Sequence, residues 1–198
     1  VECCRMLLGE MEQNGAPRYV DGIYIDARWE RITELVLEIS QLEEFRGRVF
    51  ACGGQFVGPN RTPISRANLK ERQTRVHGKE CEWFMETKFN GAYMIEFDAD
   101  VYRSRVQAGL ALAARPGAVS GRITYNGREG SKFLASHLAA RVPEIKEGNF
   151  RRCEHWKERP GLAGDQDHWN DCLVMARVGA EHEGMRESGD AIGRPKRP

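Results

Sequence analysis

No stretch of this 198-residue chain comes near the roughly 20 consecutive apolar residues that a membrane-spanning helix needs, and none has the form of a secretory signal. Phosphate loops of the G-x-x-x-x-G-K-[ST] type and the G-x-G-x-x-G fingerprint are both missing, which excludes a nucleotide cradle built on either pattern. A charge excess is missing too. Thirty lysines and arginines stand against 29 aspartates and glutamates, so contact with nucleic acid would have to come from a local basic patch and not from a global field. There is no internal repeat. Six cysteines, Cys3, Cys4, Cys52, Cys81, Cys153 and Cys172, form no C-x-x-C pair and no Cys/His zinc spacing. They read as reduced, mostly buried thiols of a cytosolic protein.

What is present is the composition of an ordinary folded domain, read here as one unit over residues 1–182 followed by a disordered polar tail over 183–198. Residues 2–13 have a helical pattern. "YVDGIYID" is an apolar run of strand length, suited to a strand covered on both faces and ending at Asp26. "ERITELVLEISQL" places Ile32, Leu35, Val36, Ile39 and Leu42 on one face of a helix, and "RVFAC" follows as the next strand. Strand, helix, strand is the order of a layered α/β sheet. From Gly53 to about Arg75 the chain is rich in Gly, Pro, Asn and Arg and lacks an apolar period, which predicts a long loop. "CEWFMETKF" and "AYMIEFD" flank Asn90-Gly91 and predict a hairpin. A helix over about 101–114 is stopped by Pro116 and Gly117, and "AVSGRITY" is another strand candidate. "GSKFLASHLAARV" reads as a helix, and "EIKEGNF" with "RRCEHWKER" as a second hairpin around Gly148 and Asn149.

The last helix, in "DHWNDCLVMARVGA", sets a problem. Trp169, Cys172, Leu173, Ala176 and Ala180 share one face, while Val174, Met175 and Val178 lie opposite and close around Asp171. A helix apolar on most of its circumference is expected to be buried, and a buried carboxylate must be ion-paired, protonated or bound to a cation. An arginine salt bridge, a place in the first turn of a helix beginning near Asp167, and a metal are the candidates for Asp171. For Asp26, a loop or cap role stands beside the functional reading. Two carboxylates converging at the carboxyl ends of α/β strands make a hard-oxygen pocket for Mg²⁺ or Mn²⁺. A pair of such ions about 3.5–4 Å apart can activate water and stabilise the leaving oxygen in phosphodiester cleavage.

The run "EFDADVYRSRVQAGLALAARPGAVSGRITY", then "SHLAARV", "HWKERPG" and "DHWNDCLVMARVGA", resembles the end of the phage terminase large subunit of the lambda-like GpA type. That family has an F-D-T-D strand end before a basic helix, an H-L helix, a W-K hairpin and an N-H-W-x-D-C-L-V helix. "GIYIDARWERITELVLEIS" is likewise similar to its strand ending in I-D-S or V-D-A with the helix that follows. The match covers most of residues 19–182, and its closing motif is the most specific part.

The resemblance implies an α/β, RNase H-like layered sheet with flanking helices, and an endonuclease that cuts concatemeric double-stranded DNA during packaging in the cytoplasm of an infected bacterial host. It implies two Mg²⁺ or Mn²⁺ ions held by acidic residues, with Asp26 at the family's second acidic position and Asp171 at its last. His168 is a candidate for orienting a water or phosphate, against a purely local hydrogen-bonding role. Asp98 and Asp100 end a strand before a helix, where an N-cap and a metal ligand are both open, and Asp98 is taken as the further metal candidate. The family's first acidic residue and its ATP-driven packaging domain lie upstream of the matched part, so the resemblance implies a C-terminal piece missing its first strands. Implied partners are double-stranded DNA, the terminase small subunit and the portal protein, with no membrane.

Arg61, Arg66, Lys70, Arg72 and Arg75 in the long loop, and Arg151, Arg152, Lys157 and Arg159 on the second hairpin beside Trp156, are candidates for DNA phosphate contact that reads no sequence. A solvated surface is the alternative. Two further readings stand beside the terminase nuclease: a non-catalytic DNA- or portal-binding module, and another RNase H-like nuclease of the transposase or resolvase kind.

Overall fold

A computed structural model describes residues 1–9, 11–13, 16–28, 30–74, 81–88, 90–113, 131–161 and 167–185. The chain opens with α1 (Glu2–Leu8) and a small antiparallel ribbon of β1 (Met11–Gln13) and β2 (Ala16–Arg18). The opening helix is therefore shorter than its pattern over 2–13 predicts. It stops where the Gly9 N–H closes back on the Arg5 and Met6 carbonyls.

The predicted strand, helix, strand unit is present. β3 (Ile23–Asp26) leads into α2 (Glu30–Gln41), and β4 (Val49–Gln55) returns parallel to β3, in register from Ile23 opposite Val49 to Asp26 opposite Cys52. Beyond β4 the long excursion carries one short 3₁₀ turn at Ile64–Arg66, and Val57, Ile64 and Leu69 pack with Phe84 in a small core of their own. It ends in β5 (Gln73–Thr74). β6 (Trp83–Thr87) and β7 (Tyr93–Asp98) form the hairpin that Asn90-Gly91 predicts, with Gly91 at φ +77° and the Asn90 side chain accepting the Ala92 N–H. The resulting five-stranded mixed sheet has the order β3-β4-β7-β6-β5.

β7 passes directly into α3 (Ala99–Ala113), and α4 (Ser131–Leu138), the antiparallel hairpin β8 (Arg141–Glu147) and β9 (Arg152–Glu158), and α5 (His168–His182) complete the order. The strand predicted in 118–125 lies outside the described residues, as do Arg75 and the tail beyond Met185. The first residues assigned to that tail belong to the helix cap: the Gly184 N–H returns to the Glu181 carbonyl and the Met185 N–H to Ala180.

Alternation along the strands sends side chains to two cores. Phe50, Cys52, Trp83, Met85, Ile95 and Phe97 meet Tyr102 and Val106 of α3 and Val174, Met175 and Val178 of α5. On the other face, Ala51 and Met94 meet Val36 and Leu37 of α2, while Cys4 and Leu8 of α1 pack on Phe45 and Val49. Helices thus cover both faces of an α/β sheet.

Three expectations about burial change. Only part of the predicted α2 face is inside: Val36, Leu37 and Ser40 are buried and Ile39 partly so, whereas Ile32, Leu35 and Leu42 are exposed. Docking decides this rotation, with the Thr33 hydroxyl donating to the Ala27 carbonyl. α5 is likewise buried on one side only, through Asn170, Val174, Met175, Val178 and His182, and Trp169, Cys172 and Ala176 face outward. All six cysteines lie among the described residues, and none is in a disulfide. Cys4 and Cys52 are buried, Cys81 and Cys153 intermediate, and Cys3 and Cys172 exposed.

Candidate functional site

The parallel strands β4 and β7 end level, Gln55 opposite Asp98, and β3 ends at Asp26, opposite Cys52 and three residues short of the end of β4. In α/β sheets this edge forms a crevice, because each strand there turns away toward a helix or loop. The first turns of α3 and α5 and the β8–β9 hairpin enclose the crevice as a cleft of about 310 Å³. Its polar wall carries Asp26, Arg28, Asp100, Arg103, His155 and Asp171, and its apolar wall Phe56, Phe97, Trp156, Val174 and Met175.

The structure brings Asp26 and Asp171, distant in sequence, to this one cleft. The Asp26 carboxylate accepts the Arg28 backbone N–H at 3.0 Å, a local turn that holds it at the end of β3. Asp171 stands in the first turn of α5 and accepts a hydrogen bond from Arg103 Nη2 at 2.6 Å. Burial pushes the Asp171 carboxyl up in pKa, and the charge and hydrogen bond of Arg103 act against that. Partial desolvation raises the neighbouring Cys172 thiol, and the charges of Asp171 and Asp26 both add to the effect. One thiol feels both carboxylates.

A second pair lines the same cleft. Asp100, buried in the first turn of α3, lies 2.9 Å from His155 Nδ1 and accepts the Trp156 N–H at 3.2 Å. The Trp156 indole N–H in turn donates to Ser104 at 2.9 Å, which fixes β9 against α3. His155 also packs on the Phe56 ring, centroids 4.3 Å apart. A carboxylate only accepts, so His155 Nδ1 carries the proton, and in the neutral ring Nε2 keeps its lone pair. Sequence reasoning did not single out His155. Its one signal was a histidine beside a tryptophan in an otherwise charged strand.

Other predicted site residues are placed elsewhere. Asp98 is fully buried and does not line the cleft. It accepts the Asp100 and Val101 N–H groups, the N-cap role, and pairs with Arg151 Nη2 at 2.6 Å. Burial raises its carboxyl despite that arginine. His168 is exposed, is not a lining residue, and has its ring 6.5 Å from that of His137. Arg151 is turned inward, donating also to the Val57 carbonyl, which removes it from the exposed basic set. Arg152, Lys157 and Arg159 are exposed, the first two beside Glu147 at 3.4 Å and Glu144 at 3.3 Å. Arg61, Arg66, Lys70 and Arg72 are exposed as well.

Among the described residues no three His, Cys, Asp or Glu side chains group as a cage for a metal ion. Asp26 and Asp171 are the two carboxylates in the cleft besides Asp100, and a Mg²⁺-like ion can take as few as one or two carboxylates, completing its shell with water and phosphate oxygens. Asp98 stands apart from that pair, capping α3 under Arg151, and Asp171 is shared with Arg103.

Comparison with protein-family models, with curated proteins and with solved structures finds no match to the chain in any of the three. No helix among the described residues is long and apolar enough to cross a membrane.

Proposed function

We propose that this domain is a nuclease of RNase H-like, terminase type, hydrolysing phosphodiester bonds of double-stranded DNA at the cleft between β3, α3 and α5, with the small subunit and portal protein as packaging partners. The observation that supports it is the meeting of Asp26, Asp171 and the Asp100–His155 pair in one cleft. Asp26 and Asp171 would hold a Mg²⁺ or Mn²⁺ ion, which when bound neutralises phosphate charge and acidifies water. His155 accepts the proton of the attacking water at Nε2. Asp100, hydrogen-bonded to Nδ1, keeps the ring oriented and balances the charge that forms on it. Arg103, shared among Asp171, Asp100 and Asp167, and Arg28, paired with Glu96, offset the acidic charge of the cleft wall. Arg152, Lys157 and Arg159 on the hairpin supply contacts to the DNA backbone that carry no sequence information.

A second reading, a DNA- or portal-binding module without catalysis, draws on the ion pairs. Asp98, Asp167 and Asp171 each already have an arginine partner, in Arg151, Arg141 and Arg103. Plasmid nicking in Mn²⁺ separates the two. Under the nuclease reading Asp26→Asn, Asp171→Asn and His155→Gln each lower the rate by about 10²-fold or more. Equal nicking by the parent and Asp171→Asn sinks the nuclease site. Salt-sensitive DNA binding without nicking by any form favours the second reading.

A further inference from the structure

From the outer side of α2 we infer a docking seat, independent of the nuclease reading, for an amphipathic helix of a partner protein that is apolar along one line and basic on its flanks. Ile32, Leu35 and Leu42 are 39%, 53% and 42% exposed, and Ile39 between them is only partly covered. Single exposed aliphatics are ordinary on a protein surface. Ile32, Leu35 and Ile39 are spaced three and four residues apart on α2, which aligns them as a straight seam of the kind a second helix fills, and Leu42 follows just past the end of that helix. The helix cannot turn to bury the seam, because Val36, Leu37 and Ser40 already anchor its other side.

Charge selects the occupant. Glu34 and Glu38 on α2 and Glu43 just beyond it are exposed, and none pairs with a described cation, while Glu44 is taken by Arg5 at 2.6 Å. The exposed Arg46 at that end is bonded to the Gln41 carbonyl at 3.2 Å, which leaves the acids in excess. A second copy would bring acidic rows against acidic rows, and an anionic membrane would be repelled in the same way. A helix with lysine or arginine beside its apolar line is attracted. At 1.5 Å per residue α2 offers a seat of roughly 18 Å, matching about three turns of partner helix.

The test uses two fluorescent 14-residue synthetic helices, both with leucine at heptad positions a and d, one with lysine and its twin with glutamate at e and g, titrated against the whole chain by anisotropy. The lysine peptide is expected to bind saturably, and the glutamate twin about tenfold or more weaker at low salt. Leu35→Gln should weaken binding of the lysine peptide by about tenfold while leaving the circular-dichroism melt in place, since Leu35 is already in water. Glu34→Lys combined with Glu38→Lys should invert the preference between peptides. Equal binding of both peptides, or a Leu35→Gln variant that binds as the parent does or melts several degrees lower, overturns the proposal. So does a parent dimer, seen by light scattering, that Leu35→Gln dissolves, because the seat would then belong to a second copy.

Discussion

Arg103 of α3 and Asp171 of α5 meet at 2.6 Å, so the carboxylate in the middle of the last helix motif is held by an arginine from the helix packed beside it. The same guanidinium lies 3.6 Å from Asp100 and 4.0 Å from Asp167, which makes it the hub of the acidic side of the cleft. A cation at Asp171 would have to compete with it. Replacing Arg103 with Met is expected to lower stability by about 1–3 kcal/mol in urea titrations, because the partly buried carboxylate loses its partner. Added Mg²⁺ should then raise the melting temperature of the variant more than that of the parent, as ion replaces guanidinium. Melting indifferent to Mg²⁺ in both would remove Asp171 as a ligand.

The arginines of the hairpin should separate into two kinds. Arg151→Met leaves the fully buried Asp98 unpaired and is expected to cost about 3 kcal/mol of folding stability. Arg152→Ala, Lys157→Ala and Arg159→Ala should each leave stability within about 0.5 kcal/mol and reduce the slope of log affinity for DNA against log salt by roughly one unit. A slope unchanged by all three places the DNA contact on another surface.

α5 reaches the sheet through Gly179, where a Cβ would lie 2.5 Å from Cε2 and 2.6 Å from Cδ2 of the Tyr24 ring. That ring has little freedom: it stacks on Phe50 with centroids 5.2 Å apart, and its hydroxyl reaches His182 at 2.9 Å and Glu183 at 3.1 Å. Gly179→Ala adds a better helix former by about 1 kcal/mol, yet overpacking should outweigh it and leave a net loss of about 1–2 kcal/mol. Tyr24→Ala in the same chain should remove most of the clash, giving a favourable coupling in the double-mutant cycle. A Gly179→Ala variant more stable than the parent would contradict the close approach.

Glu96 provides a pH test. It is buried on the α2 side of β7, paired with Arg28 and 3.6 Å from Lys88, and burial raises its carboxyl above the usual 4.5 against the pull of those cations. A folded-state pKa above the unfolded one means the native state binds the proton more tightly, so its contribution is present below the unfolded value and is lost as pH rises through the raised one. The stability of the parent minus that of Glu96→Gln should therefore fall as pH is stepped upward from 4 in urea titrations. A difference that rises with pH would show that Arg28 and Lys88 dominate over burial.

Much of the fold was legible because its signals are local. Asn90-Gly91 between two apolar runs specified the β6–β7 hairpin, Gly148 and Asn149 the β8–β9 turn, and the Asp26 strand, helix and return strand followed from pattern and length. α2 shows where that legibility stops. Ile32 and Leu35 share a helical line with Ile39, but periodicity reports only which residues lie together. Which side meets the sheet is decided by Ala51 and Met94 packing on Val36 and Leu37.

The carboxylates divide in the same way. By itself the sequence determined that Asp171, if buried, had to be ion-paired, protonated or bound to a cation, since an unpaired buried carboxylate is too costly, and it marked Asp26 as a strand end facing a helix start. Only the tertiary structure decided that Arg103 is the partner, that Arg151 turns inward to Asp98, and that Asp100 and His155 join Asp26 and Asp171 at one cleft. The need for a partner follows from local solvation, whereas its identity depends on which distant arginine the packing of α3, α5 and the hairpin brings within reach.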